Sequence, residues 1–418
     1  MRVIEPICEI TRKENKKTSV MPMIAHFILF SIAQSLTPTA TMAKPKLLTL
    51  RQKLKRVTVL LIPFIVATTV LTLRFDTAAD DGAPEPNNLR HSRVTAAEDA
   101  ALAHIPRSVV DTWSRREYLV VLGIPSTDDE ERRTRRNLQR TTCWRFPGVA
   151  TRANDFTGAM LVLYVLGRHP SHGYDYSAAL LEEAAQWQDV VALPMNEGRV
   201  ARNKTIGGGG TWSEEAEIGA TRKTYMWFDL AHRLFPTARY ISKGDDDIFL
   251  RVPLFVAHLR LLPRRGVYMG FQIGSSHFGK KGLPGSTYMM GWCYTMSRDV
   301  AEALVSFKPL RRLAYLPYSE ERYEEFALLQ FYHEDNMVGY VLEKVVNYKP
   351  LVYVKVLPCH FHDARNRTGH SQVVPTSMCV HHVREDDYAA LMARFGNDTS
   401  PVAHLWQYSE DVIYPWCD

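Results

Sequence analysis

Two short acidic constellations hold the residues whose types and spacing could do chemistry. Asp245-Asp246-Asp247 stands in YISKGDDDIFLRV, and Glu334-Asp335 stands in FYHEDNMVGYVLEKV. Adjacent carboxylates repel one another, and a hard divalent cation offsets that repulsion by taking oxygen ligands. A Mn2+ or Mg2+ ion held by the aspartates could bridge two phosphates and stabilise charge on a departing diphosphate. Acidic runs are usually solvated loops, but here apolar residues enclose the run on both sides, Ile248-Phe249-Leu250 directly after it. That setting favours a metal site at the end of a buried strand. The Glu334-Asp335 pair has two readings. It is either a pair of helix N-terminal acids favoured by the helix dipole, or Asp335 is a general base that deprotonates an incoming hydroxyl.

These groups need elements to hold them. The apolar runs 118–124 and 160–166 are continuous, as in strands covered on both faces. Helical patterns at 177–188 and 213–234 are followed by strands at 190–193 and 238–242. Such alternation predicts an α/β fold with a mostly parallel sheet. It sets the aspartates at the carboxyl edge of a strand, where open α/β sheets bind ligands. The four glycines 207–210 lack a following Lys-Ser/Thr, so they make no phosphate-binding Walker loop, and a flap is the expectation.

The chain has 418 residues and a net charge of +6. Up to Arg56 it carries 11 basic and 3 acidic residues, which leaves 40 and 42 in the remainder. The basic character thus belongs to the tail, and the balance argues against a nucleic-acid groove on the body. Residues 57–73 hold no charge and are flanked by Arg56 and Arg74. They are expected to form a short transmembrane anchor. Lys and Arg precede this stretch while Asp76, Asp80, Asp81 and Glu85 follow, so the body is expected in the lumen. The organisation then reads as a cytosolic tail 1–56, an anchor 57–73, a stem 74–112 and a catalytic body 113–418. Met42 is a possible true start, with 1–41 a mis-assigned extension. Asn203, Asn366 and Asn397 begin glycosylation triplets if they are lumenal. Five body cysteines, Cys143, Cys293, Cys359, Cys379 and Cys417, allow two disulfides and one free thiol.

Four segments in order carry a resemblance: 135–144 (RRNLQRTTCW), Lys223-Thr224 with Trp227 through Lys243 to the aspartates, 291–299 (GWCYTMSRD), and 334–339 (EDNMVG). They resemble the RRxxIRxTW, KT…W…KxDDDxF, GxGYxxSxD and EDVxxG motifs of the inverting β1,3-glycosyltransferases of family 31 and their trypanosomatid relatives. The first segment has an extra residue before its Trp, and the family's DxYxNLT stretch is replaced by the glycine run. The resemblance implies a GT-A fold with a Rossmann-like sheet behind a single N-terminal transmembrane helix. It implies a type II Golgi membrane protein that transfers galactose or N-acetylglucosamine from UDP-galactose or UDP-N-acetylglucosamine to a glycan acceptor. The product would be a β1,3 linkage in glycoprotein or GPI-anchor glycans. Asp247 would ligate Mn2+ or Mg2+, Asp245 and Asp246 would face the ribose and the metal's water, and Asp335 would be the base. A C-terminal histidine would complete the metal site, with His381 preferred to His382 and with His360 or His362 as competitors. Arg136 and Arg140 are candidates for the donor's phosphates and Trp292 for stacking on a sugar, each against a purely structural role. The alternative is a catalytically silent glycan-binding protein or folding partner on the same scaffold. Such proteins often lose the acidic motif, whereas all three aspartates are present here.

Overall fold

The computed structural model describes residues 100–199, 212–274, 285–365 and 373–417. All lie in the second of two compact units, Pro86–Asp418. The tail, the anchor at 57–73, the stem up to residue 99, the glycine run 207–210 and the Asn203 and Asn366 triplets fall outside the described residues. Among the described residues no helix is long and apolar enough to cross a membrane.

The expected alternation is present in the first half. Its elements are α1 (Arg107–Arg115), β1 (Val120–Pro125), α2 (Glu130–Thr141), β2 (Val149–Ala150), β3 (Met160–Arg168), α3 (Ala178–Trp187), β4 (Val190–Asn196), α4 (Glu214–Leu234) and β5 (Tyr240–Gly244). The second half is more broken. It runs β6 (Phe249–Leu250), α5 (Val252–Leu261), β7 (Val267–Gly270), β8 (Gln272–Gly274), β9 (Thr287–Met289), β10 (Cys293–Ser297), α6 (Arg298–Val305), α7 (Lys308–Tyr315), α8 (Tyr323–Leu328) and α9 (Glu334–Tyr340). There follow β11 (Val352–Lys355), β12 (Phe361–Asp363), β13 (Cys379–His381), α10 (Glu385–Phe395), β14 (Leu405–Ser409) and β15 (Val412–Pro415).

Ten strands form one sheet, ordered β14-β15-β11-β7-β10-β5-β1-β3-β2 with β4 also on β3. β1 runs parallel to β3 and β5, and β3 parallel to β4. β10 is antiparallel to both β5 and β7, and β14 to β15, while β11 runs parallel to β7 and β15, so the sheet is mixed but mostly parallel, as expected. Among the described residues no helix separates β7 from β10, and β8 and β9 between them pair antiparallel. β1 and β3 are buried along almost their whole length, which accounts for their unbroken apolar runs. Helix α4 lies close on β1 because Gly123 has no side chain; a Cβ there would meet the Trp227 ring at 2.2 Å. The Trp227 indole then donates to the Ser242 carbonyl at 2.9 Å, fixing α4 against β5. Ala101, Leu102, Ile105, Val109 and Val110, which lie within the expected stem, are buried in the same core as Trp113.

A second, three-stranded sheet is ordered β12-β13-β6. β5 belongs to the large sheet and β6 to the small one, so the three aspartates occupy the crossing between them. One disulfide, Cys359–Cys417, is present, while Cys143, Cys293 and Cys379 are buried free thiols. Of the two bonds that the cysteine count allows, the described residues contain this one.

Candidate metal and donor site

Backbone pairing builds the aspartate turn. The Asp245 N–H donates to the Trp292 carbonyl at 3.0 Å, and the Asp247 carbonyl accepts from the Val383 N–H at 2.9 Å. Gln139 of α2 donates to the Asp246 and Ile248 carbonyls at 3.3 and 3.1 Å. Three elements distant in sequence therefore shape one turn. Its side chains point different ways. Asp246 is buried and accepts from Ser126 Oγ at 2.8 Å, from Arg135 at 3.1 Å and from Arg132. Asp247 and the half-buried Asp245 face the cleft.

The C-terminal histidine comes from β13. This strand pairs antiparallel with β6, Val380 opposite Phe249 and Cys379 opposite Leu250, and that register carries His381 to the aspartates at the start of β6. His381 Nε2 lies 3.3 Å from Asp247 Oδ1 and 3.5 Å from Asp245 Oδ2. Trp292 stacks on the His381 ring with centroids 5.0 Å apart, and on Phe271 at 5.3 Å. His382 adopts a left-handed backbone with φ 56°, which swings its ring to 3.7 Å from that of His381. Asp363 Oδ1 accepts from His382 Nδ1 at 2.7 Å. The other candidates are elsewhere: His360 lies against the Thr376 and Trp416 carbonyls and His362 against Ser377.

The residues fit a divalent cation. One ligand atom each from Asp247, His381 and His382 lies within 4.8 Å of the others. His381 Nδ1 is buried with no hydrogen-bond partner among the described residues. In the metal-free protein burial would raise the Asp245 and Asp247 carboxyls, yet Lys243 and His381 at Asp245, and His381 at Asp247, hold both below their usual range. Burial would lower His381, but Asp247 and Asp245 push it up to about 9. Anions and a nitrogen donor thus converge where a cation would take the place of a proton.

Across the cleft, α9 carries Glu334 and Asp335 in its first turn. A Cβ on Gly339 would meet the Thr287 carbonyl and the Tyr288 Cβ at 2.4 Å, so glycine is what allows α9 to sit against β9. Asp335 accepts from the Gly291 N–H at 3.2 Å and the Asn336 N–H at 2.8 Å. Desolvation raises its carboxyl despite Lys243 nearby. Glu334 accepts from Lys243 at 2.9 Å and from the Tyr294 hydroxyl. Burial, opposed by Lys243 and reinforced by Asp335, pushes it up to about 7.

Both constellations line one cleft of about 400 Å³, together with Arg132, Lys223, Lys243, Trp292, His381 and His382. Arg136 and Arg140 are not brought there. Helix α2 buries a basic face, Arg135, Arg136, Gln139 and Arg140, and α3 with the turn after it supplies carboxylates to match it, Glu183 and Asp189. Arg136 makes a two-pronged pair with Glu183, both contacts at 2.7 Å, and Arg140 pairs with Asp189 and Glu183 at 2.7 Å. With their donors spent on carboxylates, these arginines hold α2 to α3 and to the turn before β4. Arg132, one turn earlier, reaches the cleft instead. The sequence reading missed it together with Ser126, Lys223 and the contribution of Glu334. The available signal was helical spacing, since 132, 135 and 136 share one face.

No family model matches the chain. It is 26% identical over 164 residues to lactosylceramide 1,3-N-acetyl-beta-D-glucosaminyltransferase A of Xenopus laevis, covering 34% of this chain and 41% of that protein. It is 24% identical over 270 residues to the B form from the same frog, covering 59% and 64%. The chain therefore spans less than two thirds of the length of either relative. Among solved structures, a glycosyltransferase involved in glycosylation of the major capsid of PBCV-1 matches at 11% identity and TM-score 0.30, covering 66% of this chain and 98% of that one. Mouse xyloside xylosyltransferase 1 matches at 9% and 0.33, covering 64% and 97%. A likeness of that size is too slight to bear on fold or chemistry. The sequence relatives agree with the resemblance to β1,3-glycosyltransferases, and the chain is similar to β1,3-N-acetylglucosaminyltransferases.

Proposed function

We propose that this chain is a metal-dependent inverting hexosyltransferase of GT-A type. It would transfer N-acetylglucosamine or galactose from a UDP-sugar to a glycan hydroxyl with formation of a β1,3 linkage. The observation that carries the reading is the single cleft in which Asp247 and His381, 3.3 Å apart, face the segment bearing Asp335. The similarity to β1,3-N-acetylglucosaminyltransferases supports the donor and linkage class.

Each part of the transfer has a residue for it. Asp247, His381 and His382 would hold Mn2+ or Mg2+. Such an ion, when bound, neutralises a diphosphate as it leaves. Asp245 and Arg132 line the same wall and are placed to orient the donor. Asp335, with its raised affinity for a proton, would take the hydroxyl proton of the acceptor as that oxygen attacks the anomeric carbon. Direct attack from the side opposite the diphosphate inverts the configuration. The Trp292 ring keeps His381 in place by stacking on it.

The body would be lumenal, behind a type II anchor at 57–73 in the Golgi membrane. The Cys359–Cys417 bond supports an oxidising compartment. Asn397 and Thr399 of the acceptor triplet are exposed and would be open to glycosylation there. The deciding experiment incubates purified full-length protein with Mn2+, a panel of UDP-sugars and mixed glycan acceptors, and reads the products by mass and linkage. A β1,3-linked product that disappears with chelator is expected. Absence of product with every donor, or transfer indifferent to chelator, overturns the reading.

A further inference from the structure

We propose that Lys243 is a positioning residue that locks the metal turn to the segment carrying the base. The inference rests on the glycosyltransferase reading and extends it to a residue of the cleft wall that acts through its neighbours. The Lys243 side chain is 4% exposed and lies between three acceptors. Its Nζ donates to Asp245 Oδ1 at 2.6 Å, to the Gly291 carbonyl at 2.8 Å and to Glu334 Oε2 at 2.9 Å. An ammonium has three N–H groups, and each has a partner here. One contact reaches the metal turn and one reaches α9. The third reaches Gly291, whose own N–H donates to Asp335 Oδ2 at 3.2 Å.

The register of the large sheet explains the placement. Lys243 stands on β5 opposite Tyr294 of β10, and the Tyr294 hydroxyl bonds Glu334 from the other side. Glu334 is therefore held at both ends, and Asp335, next in sequence, is the neighbour left to face the cleft. Gly291 makes room for the arrangement, because a Cβ there would lie 3.1 Å from Lys243 Nζ and 3.2 Å from Glu334 Oε2. Without the ammonium, Glu334 and Asp335 would lose the cation that stands between them and Asp245. Mutual repulsion would then move α9 and the turn apart. A base displaced by about 1 Å costs on the order of 10²-fold in rate. Arginine is no replacement, since its planar fork cannot reach three acceptors arranged around one point.

The test uses the full chain, Lys243→Met and Gly291→Ala, with two readouts: transfer kinetics, and calorimetric Mn2+ binding without substrates. Lys243→Met is expected to lower kcat by on the order of 10²-fold with the donor KM little changed. Its Mn2+ binding should be equal to or tighter than wild type, because a positive charge beside Asp245 is gone. Gly291→Ala keeps every charge and should lower kcat with Mn2+ binding unaltered. Near wild-type kcat in both variants overturns the inference. So does a joint loss of kcat, Mn2+ binding and thermal stability in both, which would mark Lys243 as a structural cation. A wild-type protein that binds Mn2+ but transfers no sugar overturns the glycosyltransferase reading, and this inference with it.

Discussion

Asp335 and His381 are the residues on which the chemistry turns, and each gives a test of its own. Asp335→Asn keeps the shape and removes the base, so turnover should fall by roughly 10²–10⁴-fold while donor affinity is kept. Separate determination of kcat and the donor KM checks this. His381 supplies a pH dependence. In the metal-free protein its pKa is about 9 against 6.5 for the free side chain, because Asp247 and Asp245 outweigh burial. A group raised in the folded state contributes stability that is complete below pH 6.5 and is lost as pH climbs to about 9. Thermal melts in chelator across that window should show Tm falling with pH. Mn2+ must displace the same proton, so its apparent affinity should rise over the same range in calorimetric titrations.

At the scale of elements, α2 separates a structural reading from a catalytic one. A run of arginines beside a Trp reads as a phosphate-binding motif, yet Arg136 and Arg140 are held by Glu183 and Asp189. Glu183→Ala would leave Arg136 buried without a carboxylate, at a cost of about 3–5 kcal/mol. Denaturant unfolding measures that loss, and the donor KM of the protein that remains folded should be unchanged. A donor KM that rises with the loss of Glu183 would place these arginines back in the donor site. On the opposite face of the sheet, Gly123→Ala drives a methyl into the Trp227 ring. Overpacking of this kind costs about 1–3 kcal/mol, seen as a lowered denaturation midpoint. That shift should come with little change in Mn2+ binding, since Gly123 lines no part of the cleft.

For the whole molecule, the C-terminal third matters as much as the strand–helix alternation that precedes it. β13 brings the histidines to an aspartate turn more than a hundred residues upstream, and Cys359–Cys417 ties the chain just before β12 to the C-terminal end. Replacing both cysteines with serine should lower stability by about 2–5 kcal/mol, measured by unfolding in the absence of reductant. A truncation that removes β13 should abolish Mn2+ binding even if the large sheet forms. That outcome would be read by calorimetry alongside circular dichroism.

The sequence by itself determined the strand–helix alternation through β5, because continuous apolar runs and helical periods are local signals. It determined that the aspartates end a buried strand, since the apolar enclosure is written in adjacent residues. The family resemblance drawn from its motifs also agreed with the relatives found by comparison. It was silent on the direction of β10, which follows from the return of the chain and not from composition. Only the tertiary structure decided which histidine meets Asp247, because that depends on the pairing of β13 with β6 across well over a hundred residues. Only it showed that Arg136 and Arg140 are spent on carboxylates while Arg132 reaches the cleft. The physical reason is the same for the histidine and for the arginines. A charged side chain's role is set by the charge that meets it, and here the partners lie on elements far away in the chain.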